Sequence, residues 1–253
     1  MKLTFLGTGT SQGIPVIACD CAVCTSADPH DNRLRTSAML EVDDQVIVID
    51  SGPDFRQQML RAQVKRLDAL VFTHPHKDHI AGMDDIRAFN FRQRKEMDIY
   101  ANAMTIKGLE REFHYVFAEE KYPGVPSVQV HEIDETPFLV GPTLFTPITV
   151  MHHKMPVLGF RVGDVAYITD ANYISPDNMA KLRGLKVLVL NALRRTEHLS
   201  HFTLDEAVAI AAELGAEMTY LTHLSHLMGR HADVAQELPP SVQLAYDGLV
   251  LVV

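Results

Sequence analysis

Thr73-His74-Pro75-His76-Lys77-Asp78-His79 is a run in which three imidazoles and one carboxylate follow one another closely. It comes directly after the apolar stretch Leu70-Val71-Phe72, which predicts a strand that ends in a tight loop. Such a loop turns alternate imidazoles toward one cation, while the Asp78-His79 pair reaches a second cation nearby. Imidazole and carboxylate ligands suit zinc, manganese or iron rather than calcium or copper(I). A histidine-rich surface loop is the alternative, but that reading suits an isolated histidine better than this H-x-H-x-D-H run.

The three cysteines also lie together, in Cys19-Asp20-Cys21-Ala22-Val23-Cys24, and an odd number cannot pair off completely as disulfides. In a reducing compartment, C-x-C-x-x-C spacing indicates thiolate ligands of a structural zinc. The fourth donor must come from elsewhere in the chain, and His226 is the candidate. The alternative is three unrelated, partly buried thiols.

Length and composition are those of a globular enzyme. A chain of 253 residues with 47% hydrophobic residues is large enough for a sizeable core. The start of the chain lacks the features of a secretory signal, and no apolar run reaches membrane-spanning length. We therefore expect a soluble, cytoplasmic protein with no membrane partner. The formal net charge of -9 argues against a large nucleic-acid interface.

Apolar runs separated by turn residues predict strands that alternate with helices. The predicted strands cover residues 3–6, 38–42, 46–50, 144–151, 159–169, 187–190 and 218–222, and residues 159–169 are expected to form a hairpin that turns at Gly163-Asp164. The predicted helices cover residues 54–62 with Asp54 as the cap, 84–89, 105–117, 177–183, and a last one from the capping box at Thr203 and Glu206 to Gly215. Strands 38–42 and 46–50 are expected to pair antiparallel. The pattern indicates two β-sheets covered on the outside by helices.

Further candidate ligands lie at the ends of later predicted strands. His152, Asp170 and His223 each close a strand at its carboxyl end, as the histidine loop does. A structural histidine or a turn-capping Asp is the commoner explanation for any one of them alone. Their recurrence at the same kind of position favours a shared metal site.

The histidine loop, followed in order by His152, Asp170 and His223, resembles the metallo-β-lactamase superfamily over essentially the whole chain. The resemblance implies an α/β (α+β) fold, a four-layer αββα sandwich, with residues 1–253 as a single hydrolase domain. Within the superfamily, Phe5-Leu6-Gly7-Thr8-Gly9-Thr10 and the C-x-C-x-x-C insert resemble the phosphodiesterase branch. That branch includes the cyclic phosphodiesterase of the carbon-phosphorus lyase pathway and, more distantly, the tRNA 3′-processing endonuclease.

The resemblance also implies roles for individual residues. Two divalent ions, Zn²⁺ or Mn²⁺, are implied. The first-metal set is His74, His76 and His152, and the second-metal set is Asp78, His79 and His223. Asp170 is the carboxylate that bridges the two ions. His226 joins the three cysteines at the structural Zn²⁺, and His201 lies beside the leaving group. Because His153 directly follows His152, the choice of ligand between the two stays open.

The chemistry of such a site follows from general principles. Two cations about 3.5–4 Å apart make a bridging water available as hydroxide at neutral pH and polarise a substrate oxygen. Hydrolysis of a phosphodiester fits this arrangement, with Lys154 or Arg194 stabilising charge on the phosphoryl group. Asp78 is expected to orient the hydroxide, and His201 to protonate the leaving oxygen.

The predicted function is therefore that of a binuclear phosphodiesterase acting on a small diester, cyclic diesters included. Three alternatives stay open: a tRNA 3′-processing endonuclease, a lactonase or thioesterase, and a non-catalytic carrier or binding protein. Residues 96–126 are neither notably basic nor low in complexity, which disfavours a tRNA-binding arm. We expect a small-molecule partner rather than nucleic acid. Among oligomeric states, a homodimer is the candidate that we consider.

Overall fold

The computed structural model describes all 253 residues, and its strands form two β-sheets packed face to face. The first sheet contains β1 (Lys2–Gly7), β2 (Ser37–Val42), β3 (Gln45–Ile49), β4 (Ala69–Val71), β5 (Met97–Ala101) and β6 (Val128–Glu132). The second contains β7 (Phe138–Val140), β8 (Thr143–His152), β9 (Met155–Val162), β10 (Val165–Tyr167), β11 (Tyr173–Ile174), β12 (Val187–Asn191), β13 (Met218–Thr222) and β14 (Val242–Leu244). The last strand, β15 (Val250–Val252), returns to the first sheet.

The strand orders show how the sheets are connected. They are β15-β1-β2-β3-β4-β5-β6 in the first sheet and β11-β8-β9-β10-β12-β13-β14 in the second, where β7 pairs with β8. Strands β3 to β6 run parallel, as do β10, β12, β13 and β14. The predicted antiparallel pairing of β2 with β3 is confirmed. Its turn at Asp43 and Asp44 adopts positive φ at both residues.

Helices cover the outer face of each sheet. Those against the first sheet are α1 (Phe55–Arg61), α2 (Lys77–Ile80), α3 (Arg87–Gln93), α4 (Ala103–Glu112) and α5 (His114–Phe117). Those of the second half are α6 (Pro176–Lys181), α7 (Leu204–Leu214) and α8 (His231–Ala235). Two short 3₁₀ turns, Pro29–Asp31 and Met83–Ile86, complete the set. None of these helices combines the length and apolar character needed to span a bilayer.

Three buried clusters define four layers. Alternating residues of β3 show the principle, because Ile47 and Ile49 face the second sheet whereas Val48 faces the helices. In the same way, Val189 of β12 faces the first sheet, whereas Leu188 belongs to the buried cluster on the side of α7. Strands that are apolar on both faces must be covered on both faces. The predicted αββα sandwich is therefore confirmed.

Several predicted boundaries differ from the structure. The helix predicted at 84–89 is a 3₁₀ turn followed by α3, and the one predicted at 105–117 is interrupted at Phe113, whose backbone leaves helical geometry. Asp54 occupies the N-cap position of α1 but makes no side-chain cap. Its carboxylate instead accepts hydrogen bonds from the backbone N–H and the guanidinium of Arg35, at 2.8 and 3.1 Å. The carboxylate of Asp54 thus binds Arg35 of the loop that precedes β2 instead of capping the N-terminus of α1.

The fold brings polar residues at the carboxyl ends of several strands to one edge of the sandwich. Asp50 follows β3, the histidine loop follows β4, and His223 follows β13. Asp50, Asp170 and His223 all adopt left-handed backbone conformations, with φ of 63°, 54° and 56°. Such conformations are uncommon outside glycine, and they cluster where the fold aims side chains at a site.

Candidate metal centre

The histidine loop and the start of α2 provide the centre of the site. His74 and His79 are fully buried, and their ring centroids lie 4.1 Å apart. His76 is the N-cap residue of α2, and its Nδ1 lies 3.1 Å from Nε2 of His74. Because α2 begins at Lys77, Asp78 and His79 both lie within the first helical turn after His76. The loop therefore presents all four predicted donors to one small volume.

The predicted second-metal set converges. Nε2 of His79 lies 3.3 Å from a carboxylate oxygen of Asp78, and Nε2 of His223 lies 3.6 Å from the same oxygen. Asp170 adds one oxygen 3.2 Å from His79 Nε2 and the other 3.3 Å from His223 Nε2. Neighbouring ligand atoms around one cation with metal–ligand distances near 2.1 Å are about 3.0–3.4 Å apart. The spacing thus suits a shared cation.

The predicted first-metal set is looser. The ring centroid of His152 lies 5.9 Å from that of His74 and 5.2 Å from that of His76. Donor atoms of His152, Asp170 and His201 instead form a close group of their own, and so do those of His74, His79 and Asp170. Asp170 therefore contacts both sides of the site. His153, by contrast, is exposed and points outside the cluster, so the structure places His152 among the candidate ligands.

Hydrogen bonds on the outer side of the rings orient their inner nitrogens. Nδ1 of His79 donates to Asp50 at 2.7 Å, and Nδ1 of His152 donates to the carbonyl of Ser200 at 2.9 Å. The hydroxyl of Thr73 donates to Asp50 at 2.8 Å and so accepts from Nδ1 of His74 at 2.9 Å. In all three rings Nδ1 therefore carries a proton, and Nε2 is the nitrogen that faces the cluster and can bind a metal ion once it is deprotonated.

Asp50, Thr73 and Ser200 were not identified from the sequence. Asp50 could have been found by the rule that identified the later ligands, since it also closes a strand at its carboxyl end. The carbonyl of Ser200 had no sequence signal, because any residue offers one.

Two observations test whether this donor set suits metal ions. Nε2 of His79 and both ring nitrogens of His223 are buried without a hydrogen-bond partner. Buried polar atoms are nearly always paired, so nitrogens aimed at carboxylates without a partner indicate a group that binds between them. The donor types, imidazole and carboxylate, match zinc or manganese. The residues therefore fit a metal centre.

The pKa shifts of the buried histidines and of Asp170 also favour a bound cation. Burial lowers the pKa of His74 well below its usual value, which keeps this ring neutral. Burial also opposes charge on His79, but the carboxylates of Asp78 and Asp170 raise its pKa well above the usual range. Burial disfavours the charged form of Asp170 too, yet His223 and His79 hold its pKa well below the usual range. Carboxylates this strongly biased to the anionic form attract a cation.

The cysteine insert forms a second cluster with His226. Nδ1 of His226 lies 3.2, 3.4 and 3.6 Å from the sulfur atoms of Cys19, Cys21 and Cys24. In a tetrahedral zinc site a sulfur and a nitrogen ligand are about 3.5 Å apart. A hydrogen bond from the backbone N–H of Cys24 lowers the pKa of Cys21 to about 6, which favours the thiolate that zinc binds. The predicted donors therefore lie together with suitable spacing.

The predicted catalytic and substrate-binding residues differ in their placement. His201 is buried next to the site, with Nδ1 3.8 Å from Asp170 and without a hydrogen-bond partner. Lys154 is exposed in the turn between β8 and β9, close in sequence to His152. Arg194 donates to the carbonyls of Thr196 and Glu197, at 3.1 and 2.6 Å, so much of its guanidinium binds its own loop.

Burial lowers the pKa of His201 to about 3, and His223 adds to the shift. At neutral pH the free ring is therefore neutral and offers one N–H. A phosphate anion close to the ring would raise its pKa again. The predicted role as an acid thus depends on the bound substrate.

The four-layer sandwich and the His/Asp cluster at its edge are those of the metallo-β-lactamase fold. The family model described as a beta-lactamase superfamily domain matches residues 45–224, and the chain belongs to this family. The predicted superfamily is confirmed. The cysteine insert and His226 lie outside the matched range.

Two solved or curated relatives are similar over the whole chain. A crystal structure of a diphosphatase from the PhnP family is 42% identical, with a TM-score of 0.93, and the match covers 100% of this chain and 97% of that one. The octanoyltransferase of Porphyromonas gingivalis is 38% identical over 256 residues, covering 100% of this chain and 52% of that protein. The chain thus spans about half the length of this curated relative.

A third relative is more distant. The ribonuclease Z of Methanopyrus kandleri is 24% identical over 290 residues, covering 99% of this chain and 97% of that protein. The similarities to the diphosphatase and to ribonuclease Z agree with the predicted resemblance to the phosphodiesterase branch.

Proposed function

We propose that this protein is a binuclear metal-dependent phosphodiesterase that cleaves a small phosphodiester, with cyclic diesters and diphosphate linkages as candidate substrates. In this proposal residues 1–253 act as one hydrolase domain. The observation that carries it is the placement of Asp170, which is close to His79 and His223 on one side and to His152 and His201 on the other. A carboxylate in that position is suited to bridge two cations.

The proposed ligands are those that the resemblance implied. His74, His76 and His152 would hold one ion, Asp78, His79 and His223 would hold the other, and Asp170 would serve both. Zn²⁺ and Mn²⁺ are the candidates. Two such ions supply a nucleophilic water at neutral pH and polarise the phosphoryl oxygens.

The remaining steps fall to side chains around the ions. Asp78 is partly buried and directs one carboxylate oxygen at both His79 and His223, which leaves its other oxygen to orient the nucleophile. His201 hydrogen-bonds to the departing oxygen and protonates it. Lys154, exposed in the turn two residues after His152, supplies positive charge to the phosphoryl group. Arg194 contributes its charge from the loop that precedes His201.

The relatives support a phosphorus-centred reaction. One is described as a diphosphatase and is 42% identical, and ribonuclease Z is described as a nuclease at 24% identity. Both names refer to cleavage at phosphorus. A site that accommodates a small diester rather than tRNA agrees with the structure of residues 96–126, because Leu109, Phe113 and Val116 of the α4–α5 segment pack into a buried cluster instead of extending as an arm.

The test is a substrate panel assayed with zinc and with manganese. It contains ribose cyclic phosphates, linear diesters, diphosphate diesters, a tRNA precursor and lactones. The proposal predicts turnover of at least one small diester or diphosphate, and loss of that turnover in a folded Asp78→Ala variant. Turnover of the tRNA precursor alone, or full activity of Asp78→Ala, would contradict it.

Hydrolysis of an acyl ester or thioester is the second candidate. One finding favours it, the 38% identity to a protein named octanoyltransferase. Because this chain spans about half of that protein, the acyl-transfer activity in its name belongs to the whole relative. An octanoyl thioester in the substrate panel separates the two functions.

We also propose that Cys19, Cys21, Cys24 and His226 bind one structural Zn²⁺. This site would fasten the insert that follows β1 to the loop after β13. Metal binding of this kind is coupled to folding rather than to chemistry.

A further inference from the structure

The loop from Arg194 to His201 is held rigidly against the candidate active site. Arg194 donates to the carbonyls of Thr196 and Glu197, and the side-chain amide of Asn172 donates to the carbonyl of Leu199 at 3.2 Å. The carbonyl of Ser200 accepts from Nδ1 of His152 at 2.9 Å. A loop that is fixed at several points can position a side chain for recognition.

His198 lies on this loop, and the proposed reaction gives it no role. The backbone N–H of Ser200 donates to Nδ1 of His198 at 3.3 Å, and the Ser200 hydroxyl lies 3.4 Å from the same nitrogen. Because Nδ1 accepts a hydrogen bond from a backbone donor, the proton of the neutral ring lies on Nε2. Nε2 has no partner within the protein and the ring is only half-buried, so this N–H is available to a ligand.

The position of the ring relates it to the proposed reaction. The centroids of His198 and His201 are 5.1 Å apart, and His201 in turn lies 3.8 Å from Asp170. His201 therefore lies between His198 and the metal centre. A diester with its phosphorus at the metals and its departing oxygen at His201 would extend its leaving group toward His198.

We propose that His198 is a substrate-positioning residue that donates a hydrogen bond from Nε2 to an oxygen of the leaving group. This assignment rests on the proposed phosphodiesterase function. The ligand chemistry is an oxygen acceptor two or three bonds beyond the scissile bond, either a sugar hydroxyl or a second phosphate. Burial, followed by the charge of Arg194, lowers the pKa of His198, which agrees with a neutral donor.

Two variants of similar shape test the functions of Nδ1 and Nε2 of His198 separately. His198→Asn keeps an acceptor near Nδ1 for the Ser200 N–H but lacks the Nε2 donor. His198→Gln places its amide N–H near the position of Nε2. If His198 only holds the loop, Nδ1 is the nitrogen that matters. If His198 binds substrate, Nε2 is the nitrogen that matters.

The experiment measures kcat and KM on three diesters, with melting temperature and metal content per chain as additional readouts. Bis-para-nitrophenyl phosphate has no sugar or second phosphate, a dinucleoside monophosphate has sugar hydroxyls, and a dinucleoside diphosphate has a second phosphate. We expect His198→Asn to raise KM about tenfold on one or both nucleotide substrates, the loss of one hydrogen bond. Its constants on bis-para-nitrophenyl phosphate should stay within about twofold, and His198→Gln should retain most of the affinity.

The outcomes are distinct. A rise on the monophosphate alone identifies the sugar hydroxyl, and a rise on the diphosphate alone identifies the second phosphate. Equal losses on all three substrates, or losses of metal or melting temperature in His198→Asn, would show a structural role and overturn the assignment. If the wild-type protein cleaves none of the three but turns over a ribose cyclic phosphate, the assignment of His198 is overturned while the proposed function stands. If it cleaves no small diester or diphosphate at all, both are overturned.

Discussion

Replacing Asp50 with Asn tests how the outer hydrogen bonds control the candidate metal ligands. The Asp50 carboxylate is fully buried and accepts three hydrogen bonds, from the N–H and hydroxyl of Thr73 and from Nδ1 of His79, at 2.8, 2.8 and 2.7 Å. Asn has nearly the same shape, so packing is kept. Its Oδ1 still accepts from the Thr73 N–H, but its amide nitrogen replaces an acceptor with a donor.

The effect on His79 follows from its tautomer. Facing an N–H donor at residue 50, Nδ1 of His79 has to accept, and the ring proton moves to Nε2. That atom is the one aimed at Asp78 and Asp170, at 3.3 and 3.2 Å. A protonated nitrogen cannot bind a metal ion. Loss of such an outer partner typically costs 10–100-fold in metal affinity, which is about 1.4–2.8 kcal/mol.

The expected effect on folding is similar in size to the effect on metal binding, so the two effects have to be measured separately. The Thr73 hydroxyl loses its acceptor, and one buried unpaired group costs about 1–3 kcal/mol. Asp50→Ala would leave all three donors without their acceptor, so we expect more than about 3 kcal/mol from that variant. The two variants therefore separate the effect of the tautomer from that of the lost hydrogen bonds.

The assay is a competition titration of zinc against a chromophoric chelator, together with urea unfolding of the metal-free protein. Asp164→Asn is the matched control, because Asp164 is half-exposed and pairs only with Lys186 at the surface, at 3.3 Å. We expect less than about 1 kcal/mol change in the control. Wild-type zinc affinity in a folded Asp50→Asn variant would refute the reasoning about the tautomer.

Three further predictions concern other parts of the molecule. Cys21→Ser should remove one zinc per chain and lower the melting temperature while activity per folded molecule is retained, and unchanged melting and zinc content would contradict the structural site. His201→Ala should lower kcat roughly 100-fold or more with metal content unchanged, so an equal loss of both would exclude the proposed acid role. Burial and the charge of Arg33 lower the pKa of His231 to about 4, below its usual 6.5. As the pH falls, the unfolded chain therefore binds a proton at this ring before the folded protein does. The free energy of unfolding should decrease as the pH drops from about 6.5 to 4. Because the ring is only half-buried, roughly 1–2 kcal/mol is expected, and His231→Asn, which keeps an acceptor for Arg33, should show a shallower decline in urea titrations at several pH values.

The elements with strong local signals were predicted well. The capping box of Thr203 and Glu206 forms with both hydrogen bonds, and Gly215 ends α7 at a φ of 65°. The hairpin at Gly163 also forms, with β9 and β10 antiparallel. These features depend on a few neighbouring residues, so their physics is contained in a short stretch of chain.

Elements that depend on distant partners were predicted less well. Asp54 has the position of a cap, but Arg35 lies close enough in the fold to take its carboxylate. The interruption at Phe113 leaves the apolar periodicity unchanged, because Leu109, Phe113 and Val116 reach the same cluster on either side of the break. Periodicity alone therefore could not reveal it.

For the candidate site, the sequence by itself determined the kinds of donor and their positions at strand ends. Spacing along the chain is enough for that, since a parallel sheet gathers the carboxyl ends of its strands at one edge. Only the tertiary structure decided that His152 rather than His153 lies in the cluster, that Asp50 sets the tautomer of His79, and that the loop of Ser200 brings His198 beside His201. Each of these depends on side-chain direction and on contacts between segments far apart in the chain, which residue spacing does not encode.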